Sequence, residues 1–171
     1  MSLAEELLIH ARFLASLDER TTTQANIRRA ISAAYYAVFH LLAAEVATQV
    51  SPNFPAGLRE GTQRVLSHTQ MLNVATAFSR PGVSKVKFTP RDFVLPCPVS
   101  RELASIAKGF EELQAARHLA DYDVMKQHYP GDALSLVQVA ESIFKTWKTE
   151  KDSPNAPVFL AAMIFGKDWN K

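Results

Sequence analysis

Apolar residues recur every three or four positions near the start of the chain, which is the spacing of amphipathic helices. The polar break "DERTTTQ" interrupts this pattern, and Thr22 or Thr23 within it can cap a second helix. That helix is predicted from Gln24 to Val50, because the proline of Ser51-Pro52 disfavours helical backbone in the residue before it. A first helix is predicted over residues 3–18, with its apolar side at Leu3, Leu7, Leu8, Ala11, Leu14 and Leu17.

Three further helices are predicted along the rest of the chain. Proline favours the first turn of a helix, which predicts one from Pro55 to Arg80. Ser100 can cap another, which weakens near "ADYD" at residues 120–123. After "YPGD", Asp132 is predicted to cap a helix from Ala133 to about Lys151. Its predicted inward residues are Leu134, Val137, Ala140, Ile143, Phe144 and Trp147.

Residues 80–98 contain four prolines and a glycine, so they cannot form one helix. We expect an extended loop there, with residues 83–88 as a short extended piece. About five helices without convincing strands predict an all-α fold, an antiparallel up-and-down helical bundle. The 171 residues suffice for a single domain over residues 1–153 that includes this loop. A C-terminal apolar segment, residues 154–171, would pack on the bundle or on a partner chain.

The predicted second helix has two different faces in "RRAISAAYYAVFH". At 100° per residue, Tyr36 and His40 share a polar face with Arg29 and Ser32, while Tyr35 leans towards an aliphatic face. Tyrosine and histidine at a helix seam commonly bond to neighbouring helices, so a structural role competes with a functional one. The aliphatic face consists of Ile27, Ile31, Ala34, Val38 and Leu41.

A second polar cluster occupies "ARHLADYD", residues 116–123. Arg117 and Asp121 are four residues apart, which places them on one helix face where they can pair. Tyr122 and Asp123 would then stand at the helix end. Arginine is also the side chain best suited to hold a phosphate group, so a salt-bridged corner and a binding site both explain the cluster.

Composition excludes several classes of function. Hydrophobic residues make up 47% and charged residues 21%, as in ordinary globular proteins. The formal net charge of +2 is too small to attract nucleic acid to the whole surface, so any RNA contact must be local. The longest uncharged run, residues 30–44, falls short of the roughly 20 apolar residues of a membrane span. No membrane association is therefore expected.

Motif spacing narrows the chemistry further. The single cysteine cannot form an intrachain disulfide, and the N-terminus carries glutamates where a signal peptide carries basic residues, so we expect a cytoplasmic protein. The five histidines form no zinc-binding motif, and the glycine-rich phosphate-binding motifs are absent. Neither a metal site nor a cofactor is expected.

The segments "RRAISAAYYAVFHLLAAEVA", "SHTQMLNVATAF" and "RHLADYD" occur in this order along the chain. They resemble the HEPN superfamily, small helical domains of prokaryotic toxin–antitoxin and defence systems, in the branch with AYYAxFH and a later RxxADYD. The resemblance implies a helical bundle, commonly a homodimer, often encoded beside a nucleotidyltransferase that acts as its antitoxin. Many members resemble metal-independent ribonucleases in which an arginine and a histidine line a cleft at the dimer interface.

The resemblance also implies roles for particular residues. Arg117 carries the arginine of RxxADYD, with Asp121 and Tyr122 after it, and the helix motif falls on Tyr35, Tyr36 and His40. The spacing Arg-x4–6-His of the ribonucleases is absent from this sequence. In a catalytic form, His40 would transfer the proton while Arg117 stabilised phosphoryl charge.

The leading hypothesis is a HEPN-like domain that binds RNA or a nucleotide in a cleft. Its catalytic candidates are Arg117 and His40, and its binding candidates are Tyr36, Asp121, Tyr122 and Arg29. The alternative is a non-catalytic helical protein-interaction or dimerisation module whose polar residues only fix the helix register. Convergence of these residues in an open cleft would favour binding, and mutual burial would favour the module.

Overall fold

The computed structural model describes residues 1–18, 20–50, 52–53, 55, 57, 59, 61, 64–88 and 91–165. Within these residues the chain is mostly helical, so the predicted all-α class is confirmed. Its helices are α1 (Leu3–Ala15), α2 (Gln24–Gln49), α3 (His68–Phe78), α4 (Arg101–Tyr122), α5 (Pro130–Glu150) and α6 (Ala156–Phe165). Two short strands, β1 (Lys85–Phe88) and β2 (Arg91–Val94), lie between α3 and α4.

Side-chain caps fix where several helices begin. The Thr23 hydroxyl accepts a hydrogen bond from the backbone N–H of Asn26, and Ser100 accepts one from the N–H of Leu103. Each bond satisfies a backbone donor that has no partner inside the helix. Both caps are among those predicted from the sequence. At α1, Ser2 forms a reciprocal capping box with Glu5.

The predicted single helix from Pro55 to Arg80 is wrong. Leu66 and Ser67 are not helical, and α3 begins at His68 with Ser67 as its cap, accepting from the N–H of Gln70. Serine in extended backbone satisfies a free donor of the following turn, which favours a new helix start there. Leu58, one of the apolar residues of the predicted helix, lies outside the described residues.

The predicted start of α5 is also wrong. The helix begins at Pro130, because proline is well suited to the first helical position. Asp132 therefore lies inside the first turn, where its carboxylate accepts from the N–H of Tyr129 instead of capping as the first residue. Leu134, predicted to point inward, is 43% exposed, and Leu136 is buried in the core instead.

Within residues 80–98, β1 and β2 pair antiparallel with Val86 opposite Phe93. The predicted extended piece corresponds to β1, whereas β2 was not predicted. Three backbone hydrogen bonds continue the pairing beyond the strands, including one from the N–H of Leu95 to the carbonyl of Ser84 at 2.9 Å. The amide of Asn155 donates to the carbonyl of Cys97 at 2.8 Å, so this part of the chain is anchored.

The contacts between residues divide the chain into two compact units. The first contains residues 1–41 and 109–145, and the second contains residues 42–108 and 146–171. In the first unit, Tyr35 is fully buried with its ring 5.6 Å from that of Phe110. Gly109 allows close approach of α4 to α5, because an added Cβ would lie 2.9 Å from the side chain of Ile143.

In the second unit, α6 packs against α3. The rings of Phe159 and Phe78 lie 5.2 Å apart, and Trp147 lies 6.4 Å from Phe159. The side-chain amide of Gln70 donates to the carbonyl of Ala162 at 3.2 Å, which ties α6 to α3 through a buried polar contact. The described part of the predicted C-terminal apolar segment thus contacts α3 of its own chain, and its packing on a partner chain stays a prediction.

Among the described residues, one helix, Gln24–Gln49, is long and apolar enough to cross a membrane. In its most apolar window, 67% of the residues are buried inside the protein. The buried core helix of a soluble protein passes the same test of length and composition. The cytoplasmic location stays a prediction.

Candidate functional site

Arg117 lies at the centre of a polar cluster in the first unit. Its Nη2 donates to the hydroxyl of Tyr36 at 2.7 Å and to that of Tyr122 at 3.4 Å. Its Nε lies 2.7 Å from Oδ2 of Asp121, an ion pair in which the N–H is not aligned for a hydrogen bond. The predicted pairing of Arg117 with Asp121 is therefore present, and their side chains are only 13% and 22% exposed.

Three tyrosine rings surround the guanidinium group of Arg117. Its central carbon lies 5.8, 5.4 and 5.2 Å from the ring centroids of Tyr35, Tyr36 and Tyr122. These distances are within the range of attractive cation–π contacts. Burial raises the pKa of Tyr35, and the nearby Arg117 opposes that rise only in part, so the Tyr35 phenol stays neutral. As the helix periodicity predicted, Tyr35 faces the core and Tyr36 faces the polar cluster.

Asp121 connects α4 to α2 through both of its carboxylate oxygens. The buried hydroxyl of Ser32 donates to Oδ1, while Oδ2 faces Arg117. The carboxylate thus compensates the charge of Arg117 and accepts a bond from the neighbouring helix. Because Arg117 is held in this way, it also holds Tyr36 and Tyr122, whose hydroxyls accept hydrogen bonds from it.

An open cavity of ≈ 690 Å³ adjoins the cluster. Its size is in the range of small-molecule sites. One wall is formed by the first turns of α2, and the other by the end of α4 and the connecting segment, residues 123–129, that leads to α5. Its lining includes Arg28, Arg29, Tyr36, Asp121, Tyr122 and Lys126.

The cavity lining carries an excess of positive charge. Asp121 is the only acidic residue among the described residues of the lining, and Arg117 already compensates it. Arg29 and Lys126 are exposed, and neither side chain has a hydrogen-bond or ion-pair partner in the part of the chain that the structure describes. An anionic ligand would therefore find two uncompensated cations here.

Arg28 contributes a third cation, which sequence reasoning missed. It donates to the carbonyl oxygens of Ala120 at 2.7 Å, Asp123 at 2.9 Å and Lys126 at 2.6 Å. Carbonyls at the C-terminal end of a helix lack partners within it, and a guanidinium group can satisfy several of them. The adjacent arginines "RR" were the available signal, although the sequence does not show which of them faces α4.

His40 is not part of this cluster. No contact among the described residues joins it to Arg117, and it does not line the cavity. It lies one helical turn beyond Tyr36 on α2, and burial lowers its pKa, which favours the neutral imidazole. The predicted set Arg29, Tyr36, Asp121 and Tyr122 thus borders one cavity, with Arg117 beside it and His40 apart from it.

His128 is the buried residue of the connecting segment, with 5% exposure and an Nε2 atom that lacks a partner among the described residues. Its backbone is held on both sides by the side-chain amide of Gln24. Gln24 donates to the His128 carbonyl at 2.6 Å and accepts from the His128 N–H at 3.1 Å. Sequence reasoning missed this contact as well, because neither residue belongs to a recognisable motif.

The free energy of unfolding is expected to fall as the pH drops below about 6.5, the ordinary pKa of histidine. In the folded chain, burial lowers the pKa of His40 and of His128, and Arg28 lowers that of His128 further. The unfolded chain therefore binds more protons below about pH 6.5, so the stabilisation is fully present above that pH. This stabilisation is lost as the pH falls through the lowered pKa values of the two histidines in the folded chain.

Urea unfolding between about pH 8 and pH 5.5 checks this prediction. The double variant His40→Gln, His128→Gln should show a flatter decline in stability over that range. An equally steep decline in the double variant would contradict the assignment to these two histidines.

The described residues contain no group of three or more side chains suited to hold a metal ion. What they assemble is a cavity with three cations and two tyrosines. Comparison with protein-family models, curated proteins and solved structures gives no match to this chain. The HEPN assignment accordingly rests on the quoted sequence motifs and stays a prediction.

Proposed function

We propose that this chain is a HEPN-like domain that binds RNA or a nucleotide in the cavity beside Arg117. The observation that carries the proposal is the combination of uncompensated cations and tyrosine rings around one open space. Cations attract phosphate groups, and tyrosine rings offer a surface on which unstacked bases can pack. Both chemistries occur together in a nucleotide.

The two kinds of side chain are suited to different parts of such a ligand. Arg29 and Lys126 are exposed and can turn towards phosphate oxygens. Tyr122 is 63% exposed, which leaves its ring accessible to a base, while its hydroxyl is held by Arg117. Tyr36 lines the same space. Arg117 therefore acts on the ligand through the tyrosines that it positions.

RNA cleavage is not part of this proposal. Metal-independent cleavage requires a proton-transferring group within hydrogen-bond reach of the reacting atoms. His40 neither lines the cavity nor contacts Arg117 in the described residues. The guanidinium group of Arg117 is also engaged by two hydroxyls and a carboxylate. The geometry thus supports binding better than catalysis.

Arg29→Ala is expected to weaken binding of a fluorescein-labelled single-stranded oligoribonucleotide about tenfold, because one charge-assisted phosphate contact is lost. The dependence of affinity on salt should also become weaker, by about 0.7 in the log–log slope for each lost contact to a single strand. Fluorescence polarisation at several salt concentrations measures both quantities. Competition by AMP, ATP and inorganic phosphate separates nucleotide recognition from simple anion binding.

Arg101→Ala is the matched control for this experiment. Arg101 is exposed and has no partner among the described residues, but it does not line the cavity. We expect its affinity to match that of the wild type. The proposal is wrong if the wild-type protein binds none of these probes, or if both alanine variants weaken binding equally.

A second candidate function is a protein-interaction module. It is favoured by the exposed apolar side chains of the connecting segment, with Val124 83% and Met125 89% exposed. Contiguous exposed apolar surface commonly marks an interface. The HEPN-like interpretation proposes two partners for such a surface, a second copy of the chain and a nucleotidyltransferase antitoxin. The mass of the chain in solution and the product of the neighbouring gene test these proposals.

A further inference from the structure

Two side chains one helical turn apart on α2 hold the connecting segment from one side. Arg28 bonds to three backbone carbonyls at the end of α4 and in the segment, and Gln24 makes two bonds to the backbone of His128. The segment contains no helix or strand of its own. These bonds therefore supply an order that regular backbone pairing does not supply there.

The same segment forms part of the cavity wall. Val124, Lys126 and Gln127 line the cavity, and their side chains are exposed. Within the segment, the carboxylate of Asp123 accepts from the N–H groups of Met125 and Lys126 at 3.1 Å, which shapes a local turn. That turn does not connect the segment to α2. Among the described residues, Arg28 and Gln24 supply the side-chain bonds that run directly from α2 to the segment, whose two ends also bond to α4 and α5.

We infer that Arg28 and Gln24 are positioning residues for the ligand, because their hydrogen bonds hold the connecting segment in place as a wall of the cavity. This inference rests on the proposed function. A wall that is ordered before binding spares the ligand the entropic cost of ordering it. The affinity then depends on bonds that face the protein backbone as well as on groups that contact the ligand.

Gln24→Ala and Arg28→Lys test the inference in the full chain. The first removes both bonds to His128 without changing the charge of the cavity. The second keeps the charge, but it replaces two separate nitrogens, which reach three carbonyls, with a single ammonium group. Each variant is expected to bind the labelled oligoribonucleotide about tenfold more weakly, the effect of roughly one to two lost hydrogen bonds.

Amide hydrogen exchange supplies a readout that a loss of global stability would not reproduce. The N–H of His128 and its neighbours in the connecting segment should exchange at least about tenfold faster in both variants, while the N–H groups inside α4 keep their protection. Saturating oligoribonucleotide should restore part of the protection in the segment. Arg29→Ala should weaken binding and leave the exchange of the segment unchanged, since Arg29 makes no bond to it.

The outcomes separate the inference from the function on which it rests. If the wild type binds and both variants bind equally well despite faster exchange of the segment, the positioning role is overturned and the proposed function stands. Unchanged exchange of the segment in both variants also overturns it. If the wild type binds neither the oligoribonucleotide nor AMP, ATP or inorganic phosphate, the proposed function fails, and the inference fails with it.

Discussion

Arg117→Ala is expected to lower the free energy of unfolding by about 3 kcal/mol, the typical cost of breaking a largely buried ion pair by removing one partner. The substitution leaves the carboxylate of Asp121 at 22% exposure without its cation, although the bond from Ser32 remains. It also removes the donor to the hydroxyl of Tyr36 at 2.7 Å and the cation between three tyrosine rings. Urea unfolding monitored by circular dichroism measures the difference.

Arg29→Ala is the control for this prediction. Arg29 is exposed, without a partner among the described residues, so its loss should change stability by less than about 0.5 kcal/mol. Combining Arg117→Ala with Asp121→Asn should cost less than the sum of the two single changes, because the carboxylate left unpaired is then neutralised. Equal stability of Arg117→Ala and Arg29→Ala would show that the cluster does not support the fold.

Arg117 holds two tyrosines in place, so Arg117→Ala can abolish ligand binding, RNA cleavage or toxicity by disturbing the fold alone. Arg29, by contrast, borders the same cavity, and its side chain has no partner among the described residues. Comparing Arg29→Ala with Arg101→Ala therefore tests the proposed site more directly than substituting Arg117, the arginine of the RxxADYD motif.

The sequence predicted what depends on local periodicity. The start of α2 and its cap, the division between Tyr35 and Tyr36, and the pairing of Arg117 with Asp121 follow from helical spacing within one segment. Such features need no knowledge of which helices are neighbours. Helical spacing within single segments was therefore enough to predict the all-α class and the ion pair at the centre of the polar cluster.

What the sequence did not predict depends on contacts between distant segments. The three carbonyls that Arg28 binds and the two-sided contact of Gln24 with His128 join residues about a hundred positions apart. The strand β2 was missed because a four-residue strand is recognised by its partner more than by its own composition. The predicted meeting of His40 with Arg117 also depended on how two distant helices pack, and the structure shows no contact between these residues.

Phe159→Ala is expected to lower the free energy of unfolding by about 4 kcal/mol, as for other fully buried phenylalanines. Its ring lies close to those of Phe78 and Trp147, so these aromatic contacts and the bond from Gln70 to Ala162 hold α6 among the described residues. The substitution leaves a cavity that rigid neighbouring side chains fill only in part. Thermal and urea unfolding of the variant measure the effect.

Phe165→Ala, in the last position of the same helix, is the matched control. Phe165 is 43% exposed, so less apolar surface returns to water and no closed cavity forms, and we expect a loss below about 1 kcal/mol. A large difference between the two variants would mean that α6 belongs to the core of its own chain, because only buried side chains carry the full cost. If both substitutions had equally small effects, α6 would be dispensable for this fold, and its apolar surface would be available for a partner chain.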